Sequence, residues 1–137
     1  MGTDIKPEIS KKNPYWISKH RYYELRHFVM QLPEWRMALK ALDGFAKVPK
    51  EQFIFSSEIS DPTAACAAAR EHITKKIQMV RKAAHDADPA IGDYILQGIL
   101  NEWSYDVVRT KYNIPCSRDE YYILYRKFFW LLSQSRN

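Results

Sequence analysis

The chain has 137 residues, a length that suits one domain or one domain with an arm. Hydrophobic residues make up 46% and aromatics 14%, enough for a real core, while no apolar run approaches the roughly 20 residues that a membrane span needs. The net charge of +5 permits a nucleic-acid partner without demanding one.

The opening Met1-Gly2-Thr3-Asp4-Ile5-Lys6 lacks the apolar stretch of a secretory signal. Gly2 does not make a myristoylation site, because Lys6 stands where Ser or Thr is required. A cytoplasmic protein with no membrane partner is therefore expected. Cys66 and Cys116 are far apart and lack metal-ligand spacing, so both are expected to be reduced thiols. Positive charge gathers at two places. Lys11, Lys12, Lys19, His20, Arg21, Arg26 and His27 lie near the N-terminus; Arg109, Lys111, Arg118, Arg126, Lys127 and Arg136 lie near the C-terminus.

Residues 1–13 are polar and read as a flexible arm, either a plain tail or a minor-groove or phosphate contact. Residues 14–137 read as one all-α domain of about six helices. Asn13 to Ile17 is an extended piece expected to pack over the first helix, with Ser18 as its N-cap. Tyr22, Leu25, Phe28, Val29 and Leu32 then follow one helical face, with Lys19, Arg21 and Arg26 on the opposite, solvated one. Pro33 starts a second helix with a stripe of Trp35, Ala38, Leu39 and Leu42, and Gly44 is expected to stop it, giving an N-terminal helical hairpin. From Phe45 to Ser60 periodicity fades; a short turn near Pro49 to Phe53 is expected, with Phe53 or Phe55 tucked into the core.

Ser60-Asp61-Pro62 opens a long central helix reaching Ala87, about 39 Å at 1.5 Å per residue. Its stripe of Cys66, Ala69, Ile73, Ile77, Val80, Ala84 and Ala87 fits either an internal spine or a seam with a second copy. Asp88-Pro89 starts a strongly apolar helix with Ile91, Tyr94, Ile95, Leu96, Ile99 and Leu100, closed by Trp103. It is expected to be the innermost helix of residues 88–137.

The last third carries the functional signal. Ser104 begins a short helix with Tyr105, Val108 and Tyr112 on one face; Asn113, able to adopt positive φ, follows, and then Ile114-Pro115-Cys116. Ser117 and Glu120 form a capping box, the serine oxygen taking a first-turn N–H and the glutamate reaching back to the serine N–H. Tyr121, Leu124, Tyr125, Phe128, Phe129 and Leu132 then recur at helical spacing. Two helices about a tight break, the second basic and aromatic, suggest a helix-turn-helix. An ordinary helical hairpin at the end of an all-α domain gives the same pattern.

The runs Gly98 to Tyr105, Ile114 to Tyr122 and Arg126 to Leu132 resemble small phage- and prophage-encoded proteins of low-GC Gram-positive bacteria. Their C-terminal halves are similar to those of RinA/ArpU-type phage transcriptional regulators, whose helix-turn-helix resembles the promoter-reading region 4 of sigma factors. The resemblance covers about the last third of the chain. It implies a transcriptional regulator bound to double-stranded DNA, with a homodimer and RNA polymerase as further candidate partners.

In that scheme the helix after Ser117 enters the major groove. Tyr121, Leu124 and Phe128 point inward; Arg118, Asp119, Tyr122 and Arg126 face the bases, Asp119 accepting from cytosine or orienting Arg118. Arg109 and Lys111 contact phosphates. The alternative is a helical protein-interaction module whose patch is Tyr15, Trp16, Tyr22, Tyr23, Tyr121, Tyr122 and Trp130. No enzyme and no cofactor or metal is expected. His20, His27, His72 and His85 form no ligand motif, and four glycines make no phosphate-cradling loop.

Overall fold

The computed structural model describes residues 13–46 and 62–136; their regular structure is α-helical, with no strand among them. In chain order the helices are α1 (Lys19–Met30), α2 (Leu32–Ala46), α3 (Pro62–Ala87), α4 (Gly92–Leu100), α5 (Tyr105–Tyr112) and α6 (Arg118–Ser135). The all-α class is thus the one the sequence predicts. The arm before Asn13, with Lys11 and Lys12, and the expected Pro49–Phe53 turn lie outside the described residues. Two compact units are present, one of the residues up to Gln31 together with those from Met79 onward, the other Leu32–Gln78. The boundary therefore falls inside α3.

In the first unit α4 and α6 are the central helices, each packed on the other and on both α1 and α5. Five large residues of α6 are buried: Tyr121, Tyr125, Phe128, Phe129 and Leu132. They recur on one side of the helix, so a single face carries the apolar burial, at roughly 1.5–3 kcal/mol per side chain. Leu124, expected to point inward with them, is only half-buried. From α1, Tyr22 meets Phe129 edge-on at 5.0 Å between ring centres, and its hydroxyl lies 3.2 Å from that of Tyr125. Burial pushes the Tyr125 phenol well above its ordinary pKa, with Tyr22 adding to the effect. Tyr22 and Tyr121 are core residues and leave the contact patch imagined for an interaction module.

Two arginines expected on a solvated face of α1 are instead engaged in the fold. Arg21 Nε donates to Ser133 Oγ at 3.0 Å and its Nη2 to the Ser133 carbonyl at 3.1 Å, while Nη1 pairs with Glu24. A guanidinium at the last turn of α6 satisfies a carbonyl that the helix leaves unpaired and complements its dipole. Arg26, with its side chain 14% exposed, pairs with Glu102 at 3.3 Å. Ahead of α1, Asn13 makes a turn by accepting from the Tyr15 and Trp16 N–H groups. Tyr15 then packs edge-on against Trp130 of α6. The expected extended piece over the start of α1 is thus a turn against α6. Ser18 caps α1 as predicted, its oxygen accepting from the Arg21 N–H.

The passage from α3 to α4 is tight. Asp88 Oδ1 accepts from the Ala90 and Ile91 N–H groups, each at 2.8 Å. The regular helix begins only at Gly92, one turn after the predicted Asp88-Pro89 start. At its other end, α4 closes with the Trp103 N–H on the Gly98 carbonyl and the Glu102 N–H on the Ile99 carbonyl. This is a Schellman arrangement, and it places Glu102 at φ 56°, a position that favours glycine. Glu102→Gly is expected to raise stability by about 1 kcal/mol in thermal or urea unfolding. The Arg26 pair it removes is largely exposed on the Glu102 side and offsets only part of this.

In the second unit, α2 runs through Gly44 to Ala46, so the predicted stop at Gly44 does not occur. A glycine costs about 1 kcal/mol in a helix, too little to end one by itself. Arg70 pairs with Asp43 at 2.8 Å, and the Lys76 ammonium stands 5.8 Å from the ring centre of Trp35, joining α3 to α2. The α3 stripe is half-buried at Cys66, Ala69 and Ile73 and buried from Ile77 onward.

Candidate nucleic-acid interface

The pair α5–α6 is fixed by local chemistry. Asn113 ends α5 in the left-handed conformation (φ 52°, ψ 50°), its N–H bonded to the Arg109 carbonyl at 2.7 Å. An asparagine tolerates this region better than most residues. Ile114 follows with 5% exposure and anchors the link, while Pro115 remains at the surface. Ser117 then caps α6, accepting from the Glu120 N–H at 3.2 Å. The return half of the predicted capping box differs. The Glu120 carboxylate lies 3.3 Å from the serine hydroxyl, which donates to it, rather than at the serine N–H.

Tyr105 holds both ends of this link. Its hydroxyl donates to the Cys116 carbonyl at 2.5 Å, and its backbone N–H donates to the Tyr122 hydroxyl at 3.2 Å. Its ring packs against Tyr121 at 5.4 Å. Cys116 is half-buried, and burial raises its thiol pKa, with Glu120 and Asp88 adding to the rise. A raised pKa disfavours the reactive thiolate.

The sequence-predicted site residues divide into two groups. Arg118 and Tyr122 lie on the side of α6 that meets α5. Arg118 Nη1 is 4.0 Å from Asp106 of α5, and its guanidinium stands 5.9 Å from the Tyr122 ring centre. Arg118 is thus within loose ion-pair reach of Asp106 at the surface and makes no ion pair with Asp119. Tyr122 is half-buried and bonded to the α5 backbone, which corrects its placement on the outer face. Ser117, Asp119 and Arg109 are exposed, and Arg126 is half-buried. Lys111 is exposed too, with its ammonium 4.9 Å from the Trp103 ring centre. An exposed contact of that kind is worth ~0.5–1 kcal/mol, so a phosphate can compete for the cation.

No family model, curated protein or solved structure matches this chain. Among the described residues no group of His, Cys, Asp and Glu could hold a metal ion. No described helix is long and apolar enough to cross a membrane.

One residue of the outer face was not anticipated. Ile123 is 51% exposed, the large apolar side chain that α6 leaves in solvent. At 100° per residue it stands opposite the buried face of Tyr121, Tyr125, Phe128 and Leu132. Its signal in the sequence is that it falls off their spacing. Asp119 lies one turn before it, and Arg126 and Lys127 one turn after. Of the basic N-terminal cluster, Arg26 pairs with Glu102 just ahead of α5, whereas Arg21 lies toward the other end of α6. Arg21 is bound at Ser133, about 22 Å along the helix from Arg118.

Proposed function

We propose that this chain is a phage-derived, sequence-specific double-stranded DNA-binding protein that regulates transcription through a helix-turn-helix formed by α5 and α6. The observation that carries the proposal is the double hold of Tyr105 on the link and on Tyr122. A reading helix must be presented at a fixed angle, because a base contact depends on placement finer than a flexible hairpin allows. Asn113, buried Ile114 and the Ser117 cap make the same link rigid without a long loop.

In this proposal the N-terminal half of α6 enters the major groove. Arg109 and Lys111 at the end of α5, with Arg118, supply phosphate contacts that set register. Asp119 and Arg126 face the base edges, and Ser117 lies at the groove's rim. Two copies would present two such helices to half-sites about one turn of DNA apart, and RNA polymerase is the partner that a promoter-bound regulator would meet.

The test is selection from random duplex DNA at near-physiological salt, run beside Arg118→Ala/Arg126→Ala. A motif enriched by the natural chain and lost in the double variant is expected, with affinity falling steeply as salt rises. Enrichment of nothing, by a folded protein, would overturn the proposal. The second proposal, a protein-interaction module, is favoured by the exposed Ile123. It predicts a complex whose affinity hardly responds to salt.

A further inference from the structure

We propose that Ile123 and Arg126 form the base-reading pair of α6, Ile123 seated on the 5-methyl group of a thymine and Arg126 on a guanine one or two base pairs away. The inference rests on the DNA-binding proposal and names the chemistry which that interface would recognise. A single exposed isoleucine is ordinary on a protein surface, so exposure alone does not carry it. Position and surroundings do.

Ile123 projects from the side of α6 opposite its buried face, where a groove would be met. Its branched β-carbon holds essentially one χ1 rotamer in a helix, so its methyl groups are presented in a fixed direction. Arg126, one turn on, makes no ion pair or hydrogen bond among the described residues. Lys127 beside it adds positive charge. Ile123 thus lies between Asp119 on one turn and the cations Arg126 and Lys127 on the next, and the major groove of DNA presents one methyl at each thymine for such an apolar side chain to meet.

The spacing also fits. Side chains three apart on a helix lie about 5–6 Å from one another. Base pairs rise 3.4 Å each, so the two side chains reach neighbouring or next-neighbouring pairs. Tyr122 is held against α5 by the Tyr105 N–H, so in this scheme it sets the angle of the helix while Ile123 and Arg126 read.

The experiment takes the sites recovered from random duplex DNA and replaces each thymine by uracil in turn, which removes only the methyl group. One position is expected to lose about four-fold in affinity for the natural chain, the value of one buried methylene-sized group. Ile123→Ala should bind the thymine duplex about four-fold more weakly. It should show no further loss with uracil, and thermal unfolding should confirm that it is folded. An enriched site whose every uracil substitution acts alike on the natural chain and on Ile123→Ala would overturn the inference and leave the DNA-binding proposal standing. No enriched site would overturn both.

Discussion

Gly92→Ala is expected to destabilise the first unit by about 3 kcal/mol or more, enough to lower the melting temperature by roughly 10 °C. A Cβ built on Gly92 would stand 1.9 Å from the carbonyl oxygen of Ala84 and 2.6 Å from its carbonyl carbon. A carbon normally keeps about 3.3 Å from such an oxygen. The obstacle is backbone inside the last turn of α3, so no side chain can swing aside. Either α4 must lift from α3 by more than an ångström, or the Asp88 turn must open and lose the Gly92 N–H bond to the Asp88 carbonyl. Both outcomes disturb Ile91 and Ile95, which are buried. Urea unfolding measures the loss directly. A cost below about 1 kcal/mol would mean that the two helices do not approach as closely as described.

Gly98 and Tyr121 are expected to behave as a coupled pair, with effects nearly as large. A Cβ at Gly98 would lie 2.5 Å from the Tyr121 hydroxyl oxygen and 3.2 Å from a methyl group of Val108. That hydroxyl is buried and has no hydrogen-bond partner among the described residues, and burial pushes its phenol pKa well up. Leaving a buried hydroxyl unpaired costs about 1–3 kcal/mol. Tyr121→Phe is therefore expected to stabilise the protein by about 1 kcal/mol, a gain of a few degrees in melting temperature. Gly98→Ala alone should cost about 2 kcal/mol. With phenylalanine at 121 the closest obstacle is gone, and only the Val108 methyl at 3.2 Å still opposes the gain in helix propensity of about 1 kcal/mol. The coupling in a double-mutant cycle should reach at least about 1 kcal/mol. Additive effects would show that the oxygen and the glycine are not in contact.

The features legible in the sequence are those whose chemistry is local. Ser18 and Ser117 cap because a serine oxygen reaches an N–H three residues on, and Asn113 takes the left-handed turn because its side chain tolerates it. The buried stripe of α6 follows from spacing, apart from Leu124, which the spacing includes and the fold leaves half-buried. Gly44 misleads because a helix whose other residues favour it can absorb one glycine. Arg21 and Arg26 mislead for a different reason. A charged residue opposite an apolar stripe is usually solvated, and their partners, Ser133 and Glu102, lie 112 and 76 residues away. Tyr122 is ambiguous because aromatics occur all around α6, so spacing could not say which of them turns toward α5.

The bond from Arg21 to Ser133 joins positions separated by 112 residues. During synthesis α1 therefore leaves the ribosome before either of the helices it packs on, α4 and α6, while the whole of the second unit is made in between. At roughly 5–20 residues per second that wait lasts several seconds or more, long on the scale of helix formation. Tyr22, whose partners Phe129 and Tyr125 lie on α6, lacks them throughout it, which makes α1 the segment that a chaperone would be expected to hold. The same order means that α4, α5 and α6 expressed without α1 would leave Phe129 and Tyr125 facing water, and such a fragment should aggregate where the longer chain does not.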